Sequence, residues 1–325
     1  MKRATIYSIA LACGVSASTV SRAFSRPHVV NADLRERIHA KARELGYQPN
    51  KAARGLVTGR TGMIGLLVPD ITNPFFPPLV RAIQRAAAEV DSSVLLVDAE
   101  ESPAAEPQLA RRLAGQVDGL LIASPRSSTA IKEAVEGLPS VIINRRIRGA
   151  AAVICDNTRA LQRAGRHLEE LGHRRVALIR GPSASWAAQQ RADAIHAWAA
   201  KSKTKLVDLG PYAASFDGGA GAAGALLGTK CTAVFAFDDL MACGVLAGLA
   251  EAGKTVPKDF SLIGCDDVLL ARTVTPQLTT VAAPVRRLGE AAVELLQQAL
   301  AGEPPQEIRL DGQLVLRAST GPASG

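Results

Sequence analysis

Along the first fifty positions, apolar residues recur at helical spacing, and the stops between them are glycines and small polar residues. Thr5 is placed to cap a helix with Ile6, Ile9, Ala10 and Cys13 on one face, and Gly14 suits the left-handed position that ends it. Val15 plugs the turn. Ser16 caps a second helix that buries Val20, Ala23 and Phe24 and turns Ala17, Ser18, Ser21 and Arg22 outward. A third helix reads from an Asn31 cap through Leu34, Ile38 and Leu45 to Gly46. Three short helices, two of them joined by a tight turn, predict a helix-turn-helix headpiece whose second helix enters the major groove of DNA.

Beyond residue 60 the pattern changes. Short apolar runs at 64–68, 94–97, 120–122, 141–143 and 153–155 read as strands, as do 176–179, 206–209, 234–237, 262–264 and 314–316. Amphipathic stretches at 76–90, 106–115, 158–171 and 288–300 read as helices between them. Alternation of this kind predicts an α/β fold of parallel sheets with crossover helices. Residues 61–325 exceed the usual size of one domain, so two lobes are expected.

Charge sharpens the division. Residues 1–60 hold 11 Lys and Arg against 3 acidic residues, a net +8 that equals the value for the whole chain. A basic module on a neutral body is what a phosphate-binding surface requires. Apolar residues interspersed with the charges favour a folded module over a solvated tail.

Specific motifs then carry a resemblance. V-S-x-x-T-V-S-R at 15–22, E-L-G-Y-x-P-N at 44–50 and A-R-x-L at 53–56 resemble the headpiece of the lactose-repressor and galactose-repressor family. The likeness runs on through I-G-L-L-V-P-D-I-T-N-P-F-F from Ile64, V-D-G-L-L-I from Val117 and H-L-x-x-L-G-H-R-R-V-A from His167. T-A-V-F-A-x-D-D-L-M-A-x-G from Thr232, V-P-x-D-x-S-L-I-G-x-D-D from Val256 and P-x-L-T-T-V from Pro276 extend it in the same order.

The resemblance implies a dimeric repressor on a palindromic operator in double-stranded DNA, controlled by a small, sugar-like effector. It implies a headpiece at 1–48, a hinge at 49–60 and a two-lobed core like periplasmic sugar-binding proteins. One lobe would take about 61–157 plus 284–313, the other 158–283 plus 314–325. In the headpiece it places Ala17, Ser18 and Arg22 on base edges and Thr19, Ser21 and Asn31 on phosphates, with Thr5 and Ser16 beside them. Arg22 is the strongest specificity candidate, since a guanidinium can bond guanine bidentately; a salt bridge to Glu36 or a phosphate contact is the competing reading.

By composition alone, the stretch 49–59, bounded by Pro and Gly, reads as a loop, although Asn50 can cap a short helix through Leu56. The family implies that two such helices pair on the operator and wedge Leu56 into the minor groove, with Asn50, Ala53 and Arg54 also on the DNA.

Ligands of open parallel sheets bind beyond the carboxyl ends of strands, which makes the residues after each strand the effector candidates. Those are Asn73, Phe75 and Phe76 after the first strand, Ser124 after the third, and Asn144 and Arg145 after the fourth. Trp186 and Arg191 follow the sixth, with Tyr212, Asp238 and Asp266 later. Aromatic faces with carboxylates, amides and guanidinium groups suit a sugar or nucleoside. Phe75 and Phe76 also fit core packing at a helix start, and Asp238 or Asp266 a helix cap. Asn144, Asp238 and Ala283 depart from the residues the family often carries there, which leaves the ligand's identity open.

Catalysis finds little support. Gly219, Gly221 and Gly224 spell the G-x-G-x-x-G of dinucleotide folds, but the preceding strand ends near Gly210, too early for a strand-to-helix turn. Five histidines and five dispersed cysteines show no metal-binding spacing, and no cofactor or metal is expected. Cysteine usage, with no cleavable signal and no long apolar span, points to the cytoplasm, without membrane attachment.

Overall fold

A computed structural model describes residues 4–25, 27–47 and 60–324. The chain divides into two compact units, Met1–Gly62 and Met63–Gly325.

In the first unit, helices α1 (Ile6–Cys13), α2 (Ala17–Ser25) and α3 (Ala32–Glu44) surround a small core in which Ile9, Val20 and Ile38 are fully buried. The caps fall where the sequence puts them. Thr5 Oγ1 accepts the Ser8 amide and Ser8 Oγ accepts the Thr5 amide, a reciprocal capping box. Gly14 adopts φ 67°, the left-handed region, and Asn31 Oδ1 accepts the amides of Asp33 and Leu34. Phe24 meets the His39 ring edge-on at 4.7 Å and closes one side of the core.

The second unit contains two six-stranded sheets. The first is ordered β11-β5-β4-β3-β1-β2 and is parallel throughout, with β1 Met63–Val68, β2 Ser93–Asp98, β3 Gly119–Ala123, β4 Ser140–Ile143, β5 Ala151–Asp156 and β11 Glu307–Asp311. Helices α4 (Phe76–Glu89) and α12 (Val285–Leu300) cover one face, and α5 (Glu106–Ala114) and α6 (Ser128–Ala134) the other.

The second sheet is ordered β12-β10-β9-β8-β6-β7, with β6 Arg175–Ile179, β7 Lys205–Leu209, β8 Ala233–Ala236, β9 Ser261–Asp266, β10 Thr279–Ala282 and β12 Gln313–Val315. Only β12 runs antiparallel to its neighbour. Helices α7 (Thr158–Glu170) and α8 (Trp186–Ala199) pack on one face. On the other lie α9 (Phe216–Leu227), α10 (Asp239–Glu251) and the short α11 (Leu269–Thr273).

The chain passes from one sheet to the other after Asp156, between Ala282 and Val285, and at Gly312. Strand order reverses at β1 in the first sheet and at β6 in the second. A crevice opens at the carboxyl end of each reversal, and the loops there can carry a ligand.

Two strands, β10 and β11, lie outside the apolar runs of the sequence. The pattern of β11, Glu-Ile-Arg-Leu-Asp, is that of a half-exposed edge, and its pairing with β5 joins segments about 150 residues apart, which local patterning cannot signal. The last strand spans Gln313–Val315 rather than 314–316, and β8 stops at Ala236 because Phe237 turns toward the carboxyl-end crevice.

The G-x-G-x-x-G series lies inside α9, not on a strand-to-helix turn. A Cβ on Gly219 would stand 2.1 Å from the Met241 carbonyl oxygen, so this glycine permits close packing of α9 on α10. Gly244 answers it from α10, where a Cβ would stand 1.9 Å from the Phe216 carbonyl oxygen. Gly221, with open space where its Cβ would be, has no such role. Gly244→Ala is therefore expected to lose about 1–3 kcal/mol in urea unfolding through forced separation of α9 and α10. Gly221→Ala is expected to gain about 0.5–1 kcal/mol in the same assay, from helix propensity alone.

Candidate functional site

In the headpiece, α2 presents Ser18 and Arg22 as exposed residues, whereas Ala17 is half-buried against the small core. Ser16 Oγ accepts the Thr19 amide at 3.1 Å and lies 2.8 Å from both the Ser18 and Thr19 hydroxyls. Three hydroxyls thus cluster at the start of the helix, where backbone N–H groups point outward and favour an anion such as phosphate. Among the described residues Arg22 makes no ion pair with Glu36. Asn31 uses Oδ1 as a cap, and its Nδ2 is the group that can donate to a phosphate. Asn50, Ala53, Arg54 and Leu56 lie outside the described residues.

In the core, eight of the eleven effector candidates meet around one cavity between the sheets: Asn73, Phe75, Phe76, Ser124 and Asn144 from the first sheet's side, Arg191, Asp238 and Asp266 from the second. Arg191, rising from α8, is its centre. Nη2 donates to Asp266 Oδ1 at 2.5 Å, Nη1 donates to the Phe237 carbonyl at 2.6 Å, and the guanidinium lies 4.8 Å from the Phe237 ring centroid. Burial would pull its pKa down, but Asp266 foremost, with further help from Asp238, holds it above the usual guanidinium value, so the group stays charged. Its Nε is buried without a hydrogen-bond partner.

Asp238 serves two sides. Oδ1 accepts the Met241 amide and caps α10, while Oδ2 accepts Asn73 Nδ2 at 3.2 Å across the crevice. Burial, reinforced by the nearby Asp266, pushes its pKa up to about 6 despite these bonds and Arg191. Asp266 caps no helix; its carboxylate is committed to Arg191. Phe75 and Phe76, edge-to-face at 5.2 Å, join both readings made of them, since they sit in the first sheet's core and also line the cavity.

Backbone conformation marks the same place. Among the described residues, seven that are not glycine have positive φ, and four of them, Glu101, Ser124, Asn144 and Asp266, line this cavity. Such conformations cost about 1–3 kcal/mol each and persist where surrounding structure enforces them, commonly at ligand sites. Asn144 shows the enforcement, because its Oδ1 accepts the Cys155 amide and its own amide donates to Val153.

Three candidates do not line the cavity. Arg145 instead reaches across the crevice. Its Nε donates to Ser128 Oγ and its Nη1 to the carbonyls of Pro125 and Ala184, so it clasps the loops that follow β3 and β6. Trp186 borders a neighbouring cavity of about 150 Å³, which it shares with Arg191, Asp156 and Asn157, because it opens α8 one turn before Arg191. Tyr212 follows Gly210 and Pro211 and packs against the second sheet's core, turned there by the bond from its amide to the Arg180 carbonyl.

Sequence reasoning missed Glu101 and Arg126, which line the cavity as a pair. Arg126 Nε donates to Glu101 Oε2 at 2.7 Å, Nη2 donates to Oε1, and Nη1 donates to the Ser124 carbonyl. Behind them Glu106, 1 % exposed, accepts the Arg126 amide, and burial raises its pKa. No local signal joins residues 25 apart.

The cavity measures only about 40 Å³, room for about one water, whereas small-molecule sites usually span about 300–1,000 Å³. The Asn73–Asp238 and Arg145–Ala184 bonds span the crevice beside it. Among the described residues no group of three or more His, Cys, Asp or Glu is arranged to hold a metal ion, and no helix is long and apolar enough to cross a membrane.

Comparison with known proteins follows the same division. Residues 5–50 match the family described as bacterial regulatory proteins, lacI family, and residues 166–320 match the periplasmic binding protein-like domain. The chain is 32 % identical to the transcriptional regulator DegA of Bacillus subtilis over 98 % of its own length and 99 % of that protein. It is 32 % identical to the ribose operon repressor of Escherichia coli K12, covering 94 % and 96 %. Among solved structures, the lac repressor dimer bound to operator and the anti-inducer ONPF superposes with a TM-score of 0.89 at 27 % identity, covering 98 % of this chain and 100 % of that one. An Enterococcus faecium regulator with bound ribose gives 0.72 at 33 % identity, covering 81 % and 100 %.

A carboxyl whose pKa is raised on folding binds its proton more tightly in the native state, so stability falls as pH rises. For Asp238 the fall lies between the ordinary carboxylate value, 3.8, and about 6. Relative to Asp238→Asn, the parent chain is expected to lose up to about 3 kcal/mol across that window, with no further loss above it. Urea unfolding of both proteins at intervals from about pH 4 to pH 7.5 checks this; parallel curves would remove Asp238 from the account.

Proposed function

We propose, from the premise that this chain belongs to the lacI family of bacterial regulatory proteins, that it is a dimeric transcriptional repressor whose grip on a palindromic operator is set by a neutral sugar in the crevice. The observation that carries the effector reading is the Arg191–Asp266 pair, with Asp238 and Asn73 beside it and the Phe75 and Phe76 rings opposite. A charged fork and a carboxylate held in place can bond vicinal hydroxyls, and aromatic rings suit the C–H faces of a sugar. Positive and negative groups at the cavity are nearly balanced, Arg126 and Arg191 against Glu101, Asp238 and Asp266, which disfavours a strongly charged ligand. The bound ribose of the E. faecium protein and the ribose operon repressors among the relatives support a pentose of the ribose class.

The division of labour runs as linkage requires. About 61–157 plus 284–313 form one lobe and 158–283 plus 314–325 the other, and the three chain crossings act as the pivot between them. Effector binding changes the lobes' separation, and operator affinity shifts by a coupling free energy of about 1–3 kcal/mol. In the headpiece, Arg22 reads bases with Ala17 and Ser18, while Thr5, Ser16, Thr19, Ser21 and Asn31 fix the backbone; Asn50, Ala53, Arg54 and Leu56 complete the contact at the hinge. The protein works in the cytoplasm and performs no catalytic step.

Isothermal titration with D-ribose is expected to show saturable binding that Arg191→Met weakens at least tenfold, with operator affinity in the absence of sugar unchanged. Ribose, other pentoses and hexoses all failing to bind would overturn the effector reading. Arg22→Ala is expected to cost about 1–3 kcal/mol on the best operator selected from random DNA. It should also flatten the base preference at one position of each half-site, read by fluorescence anisotropy at fixed salt. Equal loss on every sequence would make Arg22 a phosphate contact.

A further inference from the structure

Asn157 stands at the amino end of α7, where an asparagine ordinarily turns its side chain back to accept a helix amide. Here it makes no such cap. Asp156 Oδ1 accepts the Thr158 amide at 3.0 Å, while the buried side-chain amide of Asn157 meets two cysteines that belong to different sheets. Cys155 Sγ, near the end of β5, donates to Asn157 Oδ1 at 3.2 Å, and Asn157 Nδ2 donates to Cys265 Sγ, in β9, at 3.6 Å. Burial pushes the Cys155 thiol up to about 12 and the Cys265 thiol well above its ordinary value, so both stay protonated and Cys155 keeps the proton it donates.

The chain crossings converge on this amide. The first and third run side by side, since the Gly312 amide donates to the Asp156 carbonyl. A Cβ on Gly312 would stand 2.1 Å from Asn157 Oδ1 and 3.2 Å from Val281 Cγ1, in the strand that leads to the second crossing. Gly312 has no positive φ that would otherwise call for glycine, so the close approach to Asn157 accounts for it. Each cysteine also adjoins a wall of the effector cavity. The Cys155 amide donates to Oδ1 of Asn144, which has φ 55°, and Cys265 directly precedes Asp266, which has φ 106°.

We propose that Asn157 is a positioning residue of the switch. By bonding the ends of β5 and β9 at the pivot, it makes the two halves of the effector site turn together with the chain crossings, so that a sugar held between Asn144 and Asp266 fixes the relation of the two sheets. This role presupposes the sugar-controlled repressor described above. Asn157 itself does not line the effector cavity and acts through its two cysteine neighbours. Without the link both walls remain able to bind a sugar, but they do so in more than one relation of the sheets. A ligand shifts an equilibrium only by its differential affinity for the two arrangements, so the loss falls on coupling rather than on binding.

The test compares the full chain's affinity for the selected operator without and with saturating D-ribose, by fluorescence anisotropy. Asn157→Ala is expected to move the ratio of the two affinities toward one by about threefold or more while D-ribose still binds; an unchanged ratio would overturn the proposal. Asn157→Ser supplies a helix-capping hydroxyl on a side chain too short to span both thiols, and is expected to leave the ratio as low as Asn157→Ala does. Return of the parent ratio in Asn157→Ser would reduce Asn157 to a helix cap. Cys265→Ala is expected to lower the ratio too, and combining it with Asn157→Ala to lower it no further; additive losses would mean that the two side chains act independently and that the link is not the cause. Hydrogen exchange without sugar gives a ligand-free reading. The Cys155 and Gly312 amides are expected to exchange about threefold faster or more in Asn157→Ala than in the parent chain, relative to Ala177 in the middle of β6, and equal rates would sink the proposal. Failure of D-ribose to bind the parent chain would count against the effector reading alone, with the exchange rates still deciding whether Asn157 holds the pivot.

Discussion

A guanidinium cannot be buried alone, and much of the crevice is arranged to meet that constraint at Arg191. Desolvating a charge of this kind costs several kcal/mol unless opposite charge and hydrogen bonds are held in place. Asp266 supplies the charge from the end of β9, the Phe237 carbonyl a second acceptor from the end of β8, and the Phe237 ring a face over which the cation lies. Each of these groups is delivered by a different strand end of one parallel sheet, so the pair forms only once β6, β8 and β9 are in register. Asp266 reaches its position with φ 106°, a conformation that isolated aspartate avoids and that the packed sheet imposes.

The other half of the crevice answers with uncharged groups and a second ion pair. Asn73 bonds Asp238 across the gap, Arg145 bonds the Ala184 carbonyl, and Val268 with Leu270 packs from the second sheet's side into the first sheet's core, so polar bonds and an apolar contact together hold the two sides around a small cavity. Under the proposed function, this joint is where a polyhydroxylated effector exchanges its own bonds for those across the gap. Asp238 contributes to this balance most directly, because its burial leaves it close to the boundary between charged and neutral forms near pH 6.

Close helix packing supports the half that carries Arg191. Gly219 and Gly244 bring α9 and α10 near enough for backbone to touch backbone, and Asp238 itself caps α10. The next residue, Asp239, is fully buried and ties β10 to the start of α11 through Thr280 Oγ1 and the Val268 amide. A glycine series that resembles a nucleotide motif thus works in packing, because its place within a helix rather than on a turn decides its use.

Local pattern alone determined the headpiece, since each of its signals acts within a few residues: the Thr5 and Asn31 caps, the Gly14 stop and the helical spacing of Ile9, Val20 and Ile38. The same holds for most strands of the core, where β-branched and aliphatic runs reveal burial on both faces, and for the strand-end residues Asn73, Asn144 and Asp266, which a parallel sheet must bring to one end. What only the tertiary structure decided were contacts between residues distant in sequence. These include the pairing of the half-polar β11 with β5, the Glu101–Arg126 ion pair, the turning of Arg145 into a clasp, and the departure of Tyr212 into the second sheet's core. Periodicity reports which face of an element is buried, but not what it is buried against. Electrostatic pairing and the choice between a wall and a clasp depend on distances that exist only after the two sheets have packed.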